Sequence, residues 1–177
     1  MASLRGDPEY DRIVKRIDQA LNPCKADPKF RQFDYWVGEW DVVPNGAPPG
    51  SPLSENIVTL EHGDCIVHEH WKGAGGGTGE SFNLYDASRN AWFQTWADSS
   101  GGLHEYKGGL DANGNMAFTA ELAPNPGQPV NERGRVPTKL TFLKLGPDQV
   151  RQLSEQSADG GKSWQIAYDL IYTRRKK

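Results

Sequence analysis

The sequence lacks several features that would assign it to a class at once. None of its 177 residues belongs to an apolar run approaching the length of a membrane span, so no membrane-spanning helix is predicted. Basic residues are not in excess, since 20 Lys and Arg stand against 23 Asp and Glu. A dedicated nucleic-acid-binding protein would be strongly basic, so we expect no nucleic-acid partner. The first residues carry charge without an apolar core behind it, so no signal peptide is predicted.

Cysteine is also scarce, with Cys24 and Cys65 the two in the chain. No Cys-x-x-Cys pair occurs and the histidines are scattered, so the sequence predicts no metal site. The cysteines leave two alternatives open: free thiols in a cytosolic protein, or a disulfide in an oxidising compartment. The expected location is cytoplasmic for the chain as written, and periplasmic or secreted if a signal peptide has been removed.

The N-terminal part of the chain has sequence patterns that are typical of helices. Asp7-Pro8 is typical of a helix start, and Asn22-Pro23 of a helix end. Between them apolar residues recur at helical spacing, which predicts an amphipathic helix. We expect this helix to cover the β-barrel predicted below, or the edge of that barrel. Asp27-Pro28 predicts a second, short helix that stops near Gly38. We assign residues 1–30 to an N-terminal helical arm.

After Gly38 the apolar period changes to two, and 20 glycines and 12 prolines separate short strands by turns. Strands joined by hairpin turns predict an antiparallel meander. About ten strands are too many for a comfortable open sheet, so we expect closure. The predicted fold class is all-β: an up-and-down antiparallel barrel over residues 31–177, preceded by helices. The segment 123–137, rich in Pro, Asn and Gly, is expected to be a long loop at the barrel mouth.

The clearest motif is FDYWVGEWDV, from Phe33 to Val42. A glycine followed two positions later by tryptophan resembles the opening of lipocalin-like (calycin) barrels. In such barrels the tryptophan plugs the closed end and a basic residue of the last strand packs over its ring. The resemblance implies structural roles for Gly38 and Trp40, with Arg174 or Arg175 as the basic partner.

Further segments narrow this resemblance: Glu69-His70-Trp71 after Cys65, the run GESFNLYD at 79–86, WFQTWAD at 92–98, and a late Tyr-x-Arg. Together with FDxWxGEWDV they look like an uncharacterised family of bacterial lipocalin-like proteins, over residues 30–175. That family has no settled activity, so the resemblance implies a fold and not a function. Its members are often exported and often have cysteines near these two positions, which favours the disulfide and implies a structural role for Cys24 and Cys65.

Three other patterns are interpreted as structural. The segment 157–164 matches an Asp-box and predicts a hairpin turn rather than glycosidase activity. The glycine run 73–79 fits neither common phosphate-binding pattern and predicts a flexible loop. His68 and His70 share one face of a strand, but no third ligand is evident nearby in sequence, so a solvated outer face is favoured over a metal site.

Strand alternation gives a prediction for the residues that line the barrel. On strand 79–86 hydrophobicity alone favours Phe82 and Leu84 inside. The pattern of the resembled family stresses Ser81 and Asn83, which favours the opposite face, and we adopt that face. The result is a mixed aromatic and polar pocket of the kind that binds small ligands. The predicted lining is Glu69, Trp71, Ser81, Asn83, Tyr85, Gln94, Trp96, His104 and Tyr106.

Three functions fit this pattern. The first is binding of a small hydrophobic or amphipathic molecule in the barrel, without a cofactor. The second is a cofactor-independent isomerase or cyclase that uses Glu69 with Tyr106 or His104 as an acid–base pair. The third is a structural or interaction protein with a fully packed barrel. Haem is not expected, because the haem-binding variant of such barrels uses a late histidine and the last one here is His104.

Overall fold

The computed structural model describes residues 6–124, 126–128 and 130–176. The first helix, α1, spans Pro8–Leu21, and its apolar residues are exposed. None of its residues is buried, so the expectation that this helix covers the barrel is wrong. Within the described ranges, no helix is both long and apolar enough to cross a membrane.

The second predicted helix, from Asp27 to near Gly38, is instead two single 3-10 turns, with a short helix before them. Helix α2 spans Pro23–Ala26, and single 3-10 turns follow at Pro28–Arg31 and Asp34–Trp36. Asp27 is extended (φ −91°, ψ 117°) because the proline after it disfavours the helical conformation. The path therefore bends repeatedly, which carries this segment across one end of the barrel.

Ten strands of the described residues form a closed barrel. Each strand pairs antiparallel with its neighbours along the chain, and β1 pairs with β10 to close the ring. This confirms the predicted fold class, an up-and-down antiparallel barrel. The strands are β1 Gly38–Pro44, β2 Ser54–Glu61, β3 Ile66–Lys72, β4 Thr78–Asp86, β5 Ala91–Asp98, β6 Leu103–Leu110, β7 Met116–Leu122, β8 Val136–Gly146, β9 Gln149–Gln156 and β10 Gln165–Arg174.

An aromatic cluster fills one end of the barrel, which we call the closed end. The rings of Phe33 and Trp36 stack at 4.9 Å, and Phe142 packs against both, at 5.0 and 4.5 Å. The Tyr35 hydroxyl donates a hydrogen bond to the Phe142 carbonyl at 2.7 Å. The two 3-10 turns therefore supply the plug against which the strands close.

Gly38, Trp40 and Arg174 also meet at the closed end. The Arg174 guanidinium lies 4.2 Å from the centre of the Trp40 ring, a cation–π contact. Gly38 has φ +144°, a conformation that strains other residues, and a Cβ there would displace the Arg174 guanidinium from its position. Arg175 pairs with Asp41 instead, at 2.6 Å.

A disulfide between Cys24 and Cys65 joins α2 to the turn between β2 and β3. Of the two alternatives that the sequence left open, the structure has the cross-linked one. Nearby, the ring of Phe30 packs edge-on against Tyr85 at 5.3 Å. The N-terminal segment is thus cross-linked to the barrel just after α1. The boundary at residue 30, between the helical arm and the barrel domain, stays a prediction.

The loops that follow β1, β3, β5, β7 and β9 lie at the other end by connectivity, which we call the open end. They include the glycine run and the loop between β7 and β8. The Asp-box segment forms a turn there: the Asp159 carboxylate accepts hydrogen bonds from the backbone N–H groups of Lys162 and Ser163, at 2.9 and 2.8 Å. This is the turn chemistry expected of the motif.

Candidate functional site: a cavity at the open end

A cavity of about 300 Å³ occupies the barrel interior between the aromatic plug and the open end. This volume is at the lower limit of the range usual for small-molecule pockets. Six of the predicted residues line it, supplied by β3, β5 and β6: Glu69, Trp71, Gln94, Trp96, His104 and Tyr106.

The other three predicted residues face the barrel interior but do not line this cavity. Ser81 and Asn83 are fully buried on β4, where Ser81 is paired with Glu69 and Asn83 with Gln94 on the neighbouring strands. Tyr85 is further down the same strand, where its hydroxyl donates a hydrogen bond to Asn90 Oδ1 at 2.6 Å. That these three residues contact a ligand stays a prediction, since they are absent from the cavity lining.

Buried polar side chains form a chain of hydrogen bonds that ends on Glu69. Gln94 Nε2 donates to Asn83 Oδ1 at 2.7 Å, and Asn83 Nδ2 donates to Ser81 Oγ at 2.9 Å. The Ser81 hydroxyl donates to Glu69 Oε2 at 2.6 Å. All these donors point toward the carboxylate, so each bond polarises the next. The chain holds the Glu69 side chain in place and explains why β4 turns its polar residues inward.

The Glu69 carboxyl group is 2% exposed, and burial raises its pKa from 4.5 to about 7. Loss of hydration disfavours the charged form, and the hydrogen bond from Ser81 only partly offsets this by lowering the pKa. Asn56 lies close enough to lower the pKa as well, although neither of its amide atoms makes a well-formed hydrogen bond. Glu69 therefore exchanges between protonated and ionised forms near neutral pH.

The proposed acid–base partners of Glu69 line the same cavity but are not hydrogen-bonded to Glu69. Among the described residues no hydrogen bond or ion pair joins Glu69 to His104 or Tyr106. His104 and Tyr106 contact each other edge-on, with ring centres 6.4 Å apart. Burial raises the pKa of Tyr106 to about 12, so its hydroxyl is a hydrogen-bond donor at neutral pH. A molecule in the cavity would have to lie between these groups to be shared by them.

The opposite wall of the cavity was missed by the sequence analysis. It is supplied by β7 to β10, and on β9 the inner face is polar. The Tyr172 hydroxyl donates to Gln152 Oε1 at 2.5 Å, which fixes both side chains. The missed lining residues are Leu122, Leu140, Gln152, Ser154, Gln156, Ala167, Tyr168, Leu170 and Tyr172.

A second group of ionisable side chains lies outside the barrel. Glu61, His68, His70 and Glu80, which we call the His–Glu cluster, meet on the outer surface of β2, β3 and β4. The expectation that no third metal ligand lies near the two histidines is wrong, because the register of β2 against β3 brings Glu61 to them. His68 is also buried rather than solvated, with 7% of its surface exposed.

No protein-family model matches this chain, and no curated protein does. Among solved structures, the S-type phycobiliprotein lyase CPES from Guillardia theta is similar, with 13% sequence identity and a TM-score of 0.46. The alignment covers 82% of this chain and 91% of that one. A similarity at this level assigns neither a ligand nor an activity to this chain.

Proposed function

We propose that the protein binds a small, partly apolar molecule in the barrel cavity, with Glu69 as its polar anchor. The observation that carries this proposal is a single buried carboxyl group on the wall of a cavity that is otherwise aromatic, aliphatic or neutral and polar. A packed core would bury apolar side chains at this position, since an unpaired carboxylate is costly to bury. The hydrogen bond from Ser81 positions the group without using both of its oxygens.

The side chains that line the cavity favour one class of ligand. The rings of Trp71, Trp96 and Tyr106 offer flat apolar surface, which suits a planar aromatic molecule. Ionised Glu69 accepts hydrogen bonds, so a ligand with an N–H or O–H donor is favoured. Among the described lining residues there is no lysine or arginine, which disfavours an anionic ligand. A small aromatic amine, phenol or indole has these properties.

Fluorine-19 NMR with 5-fluoroindole, 4-fluoroaniline and 4-fluorophenol tests this proposal. At least one probe is expected to bind with a Kd below about 1 mM, worth about 4 kcal/mol. Ala167 lines the cavity near the start of β10, so Ala167→Trp is expected to obstruct the cavity and abolish binding. Ala112→Trp, on an exposed turn, is the matched control. If none of the three probes binds, or if Ala167→Trp binds as well as the control, the proposal is rejected.

A second candidate function is supported by the raised pKa of Glu69. A carboxylate with a pKa near 7 is matched to general acid–base work at neutral pH, as an isomerase requires. The reaction class is removal of a proton from a carbon next to a carbonyl group, with return of a proton elsewhere. The test is deuterium exchange at the α-carbon of cyclohexanone in heavy water, followed by NMR. Exchange faster with the wild-type protein than with Glu69→Gln supports an enzyme, and equal rates exclude this chemistry at Glu69 for that ketone.

A further inference from the structure

The His–Glu cluster places two imidazoles between two carboxylates. On one side Glu61 Oε1 lies 3.0 Å from His68 Nδ1 and 3.9 Å from His70 Nε2. On the other side Glu80 lies 3.2 Å from His68 Nε2 and 3.5 Å from His70 Nδ1. Each histidine therefore turns one ring nitrogen toward each carboxylate.

Strand geometry produces this arrangement. His68 and His70 are two residues apart on β3, so their side chains leave the same face of the sheet. Glu80 is directly opposite His70 on β4, and Glu61 is two positions beyond the partner of His68 on β2. The cluster is thus set by three adjacent strands of the barrel, which is a rigid support.

We propose that Glu61, His68 and His70 bind a divalent transition-metal ion of the Zn²⁺ type on the outer wall of the barrel. Two imidazoles and a carboxylate are a known zinc ligand set, which leaves further positions for water. Zinc–ligand bonds of about 2.0–2.1 Å in a tetrahedron require donor atoms about 3.3 Å apart. The two Glu61 distances, 3.0 and 3.9 Å, bracket this value, and the three donor atoms all lie within 4.8 Å of one another.

Glu80 is placed to orient the two histidine ligands through the ring nitrogens that do not face the metal. A metal-bound histidine usually donates its other ring N–H to a carboxylate, which fixes the tautomer and the ring orientation. When His68 Nδ1 and His70 Nε2 face the metal, the nitrogens left over are those that face Glu80. One carboxylate thus positions both imidazoles, and we assign Glu80 as a positioning residue rather than a ligand.

Other neighbours hold the ligands in place before any metal arrives. The Thr59 hydroxyl donates to Glu61 Oε1 at 2.9 Å. The ring of Phe82 stacks on His68, with centres 4.3 Å apart and planes at 22°. This contact gives the exposed Phe82 side chain a structural role on the outer face. Little side-chain freedom remains to be lost when a metal binds.

The test is calorimetric titration of the chelator-treated full-length protein with ZnCl₂ at pH 7.5. We expect one Zn²⁺ per chain and no binding of Mg²⁺ or Ca²⁺, which prefer oxygen ligands. His70→Gln and Glu61→Gln should each weaken Zn²⁺ binding at least about tenfold, as should Glu80→Gln through loss of orientation. His62→Asn is the matched control, because His62 is exposed on the adjoining turn at φ +50°, a conformation that asparagine tolerates.

Two further measurements separate a metal site from a set of ion pairs. Co²⁺ bound in place of Zn²⁺ should give the strong visible absorption of tetrahedral coordination, and Glu80→Gln should alter this spectrum while the metal-free urea midpoint stays unchanged. The proposal is overturned if Zn²⁺ does not bind, if His70→Gln binds it as tightly as wild type, or if His62→Asn removes binding. If Zn²⁺ does not bind at all, the cluster is a hydrogen-bonded group around His68.

Discussion

Replacing Glu69 by glutamine should change how stability depends on pH. The folded state holds the Glu69 proton more tightly than the unfolded chain, because burial raises the pKa from 4.5 to about 7. Between these two values the folded state binds more protons, so its stability falls as pH rises through this window. The stabilisation that protonated Glu69 contributes is therefore complete below pH 4.5 and lost above pH 7. Glutamine stays neutral throughout and removes this dependence.

The magnitude follows from the size of the shift. The rise of about 2.5 units in the pKa of Glu69 corresponds to about 3 kcal/mol, at about 1.36 kcal/mol per unit. Most of this, about 2–3 kcal/mol, falls between pH 5 and pH 8, because part of the loss precedes pH 5. The free energy of unfolding of Glu69→Gln, relative to that of wild type, should therefore rise by this amount between pH 5 and pH 8. In a chain of this length the gain is equivalent to roughly 5–10 °C in Tm.

Urea unfolding of both proteins at pH 5, 6, 7 and 8, with the disulfide intact, measures this difference. Other titrating groups contribute equally to both proteins and cancel when the two curves are subtracted. The expected result is a difference that grows with pH and levels off above pH 7. Curves that run parallel from pH 5 to pH 8 would refute the burial argument for Glu69, and with it the idea of a polar anchor with a pKa near 7.

Three further changes test other parts of the structure. Ser81→Ala removes the hydrogen bond that lowers the pKa of Glu69, so carbon-13 NMR of the carboxyl group should show a pKa above that of wild type; an unchanged pKa contradicts the contact. Gly38→Ala sets a Cβ against Arg174 at positive φ and should cost about 1–3 kcal/mol by urea unfolding, whereas an unchanged midpoint refutes the close approach. Replacing both disulfide cysteines by serine opens a loop with a sequence separation of 41 residues. This should lower the free energy of unfolding by about 4 kcal/mol in a chain-entropy account, and a loss under about 1 kcal/mol would contradict it.

The barrel was predictable from sequence because turns and strand period agree along the whole chain. Strand β4 shows the limit of hydrophobicity as a guide. Phe82 and Leu84 are 42% and 37% exposed, while Ser81 and Asn83 are fully buried. An inner wall that supports a buried carboxyl group needs polar side chains, and large apolar residues are tolerated on a protein surface. The family pattern gave the right face here, and hydrophobicity alone gave the wrong one.

Nine of the fifteen residues that line the cavity were not predicted from strand alternation. On β9 the inner residues Gln152 and Ser154 flank the outer Leu153, so a rule that places leucine inside inverts the strand, although the inner face also carries Val150. On β10 the register shifts between Ile166 and Tyr168, and alternation alone cannot locate such a shift. The His–Glu cluster was missed for a related reason, since only the pairing of β2 with β3 shows that Glu61 reaches His68.

The pairing of β1 with β10 has a consequence for the order of events during synthesis. Trp40 and its partner Arg174 are separated by most of the barrel sequence, so the ring cannot close until β10 has left the ribosome. Cys24 and Cys65 emerge much earlier and are able to cross-link while the sheet is still open. Tyr168 and Tyr172, which complete the cavity, arrive last. A nascent chain that ends before β10 therefore has no closed pocket and leaves the facing edges of β1 and β9 unpaired, where a chaperone would bind.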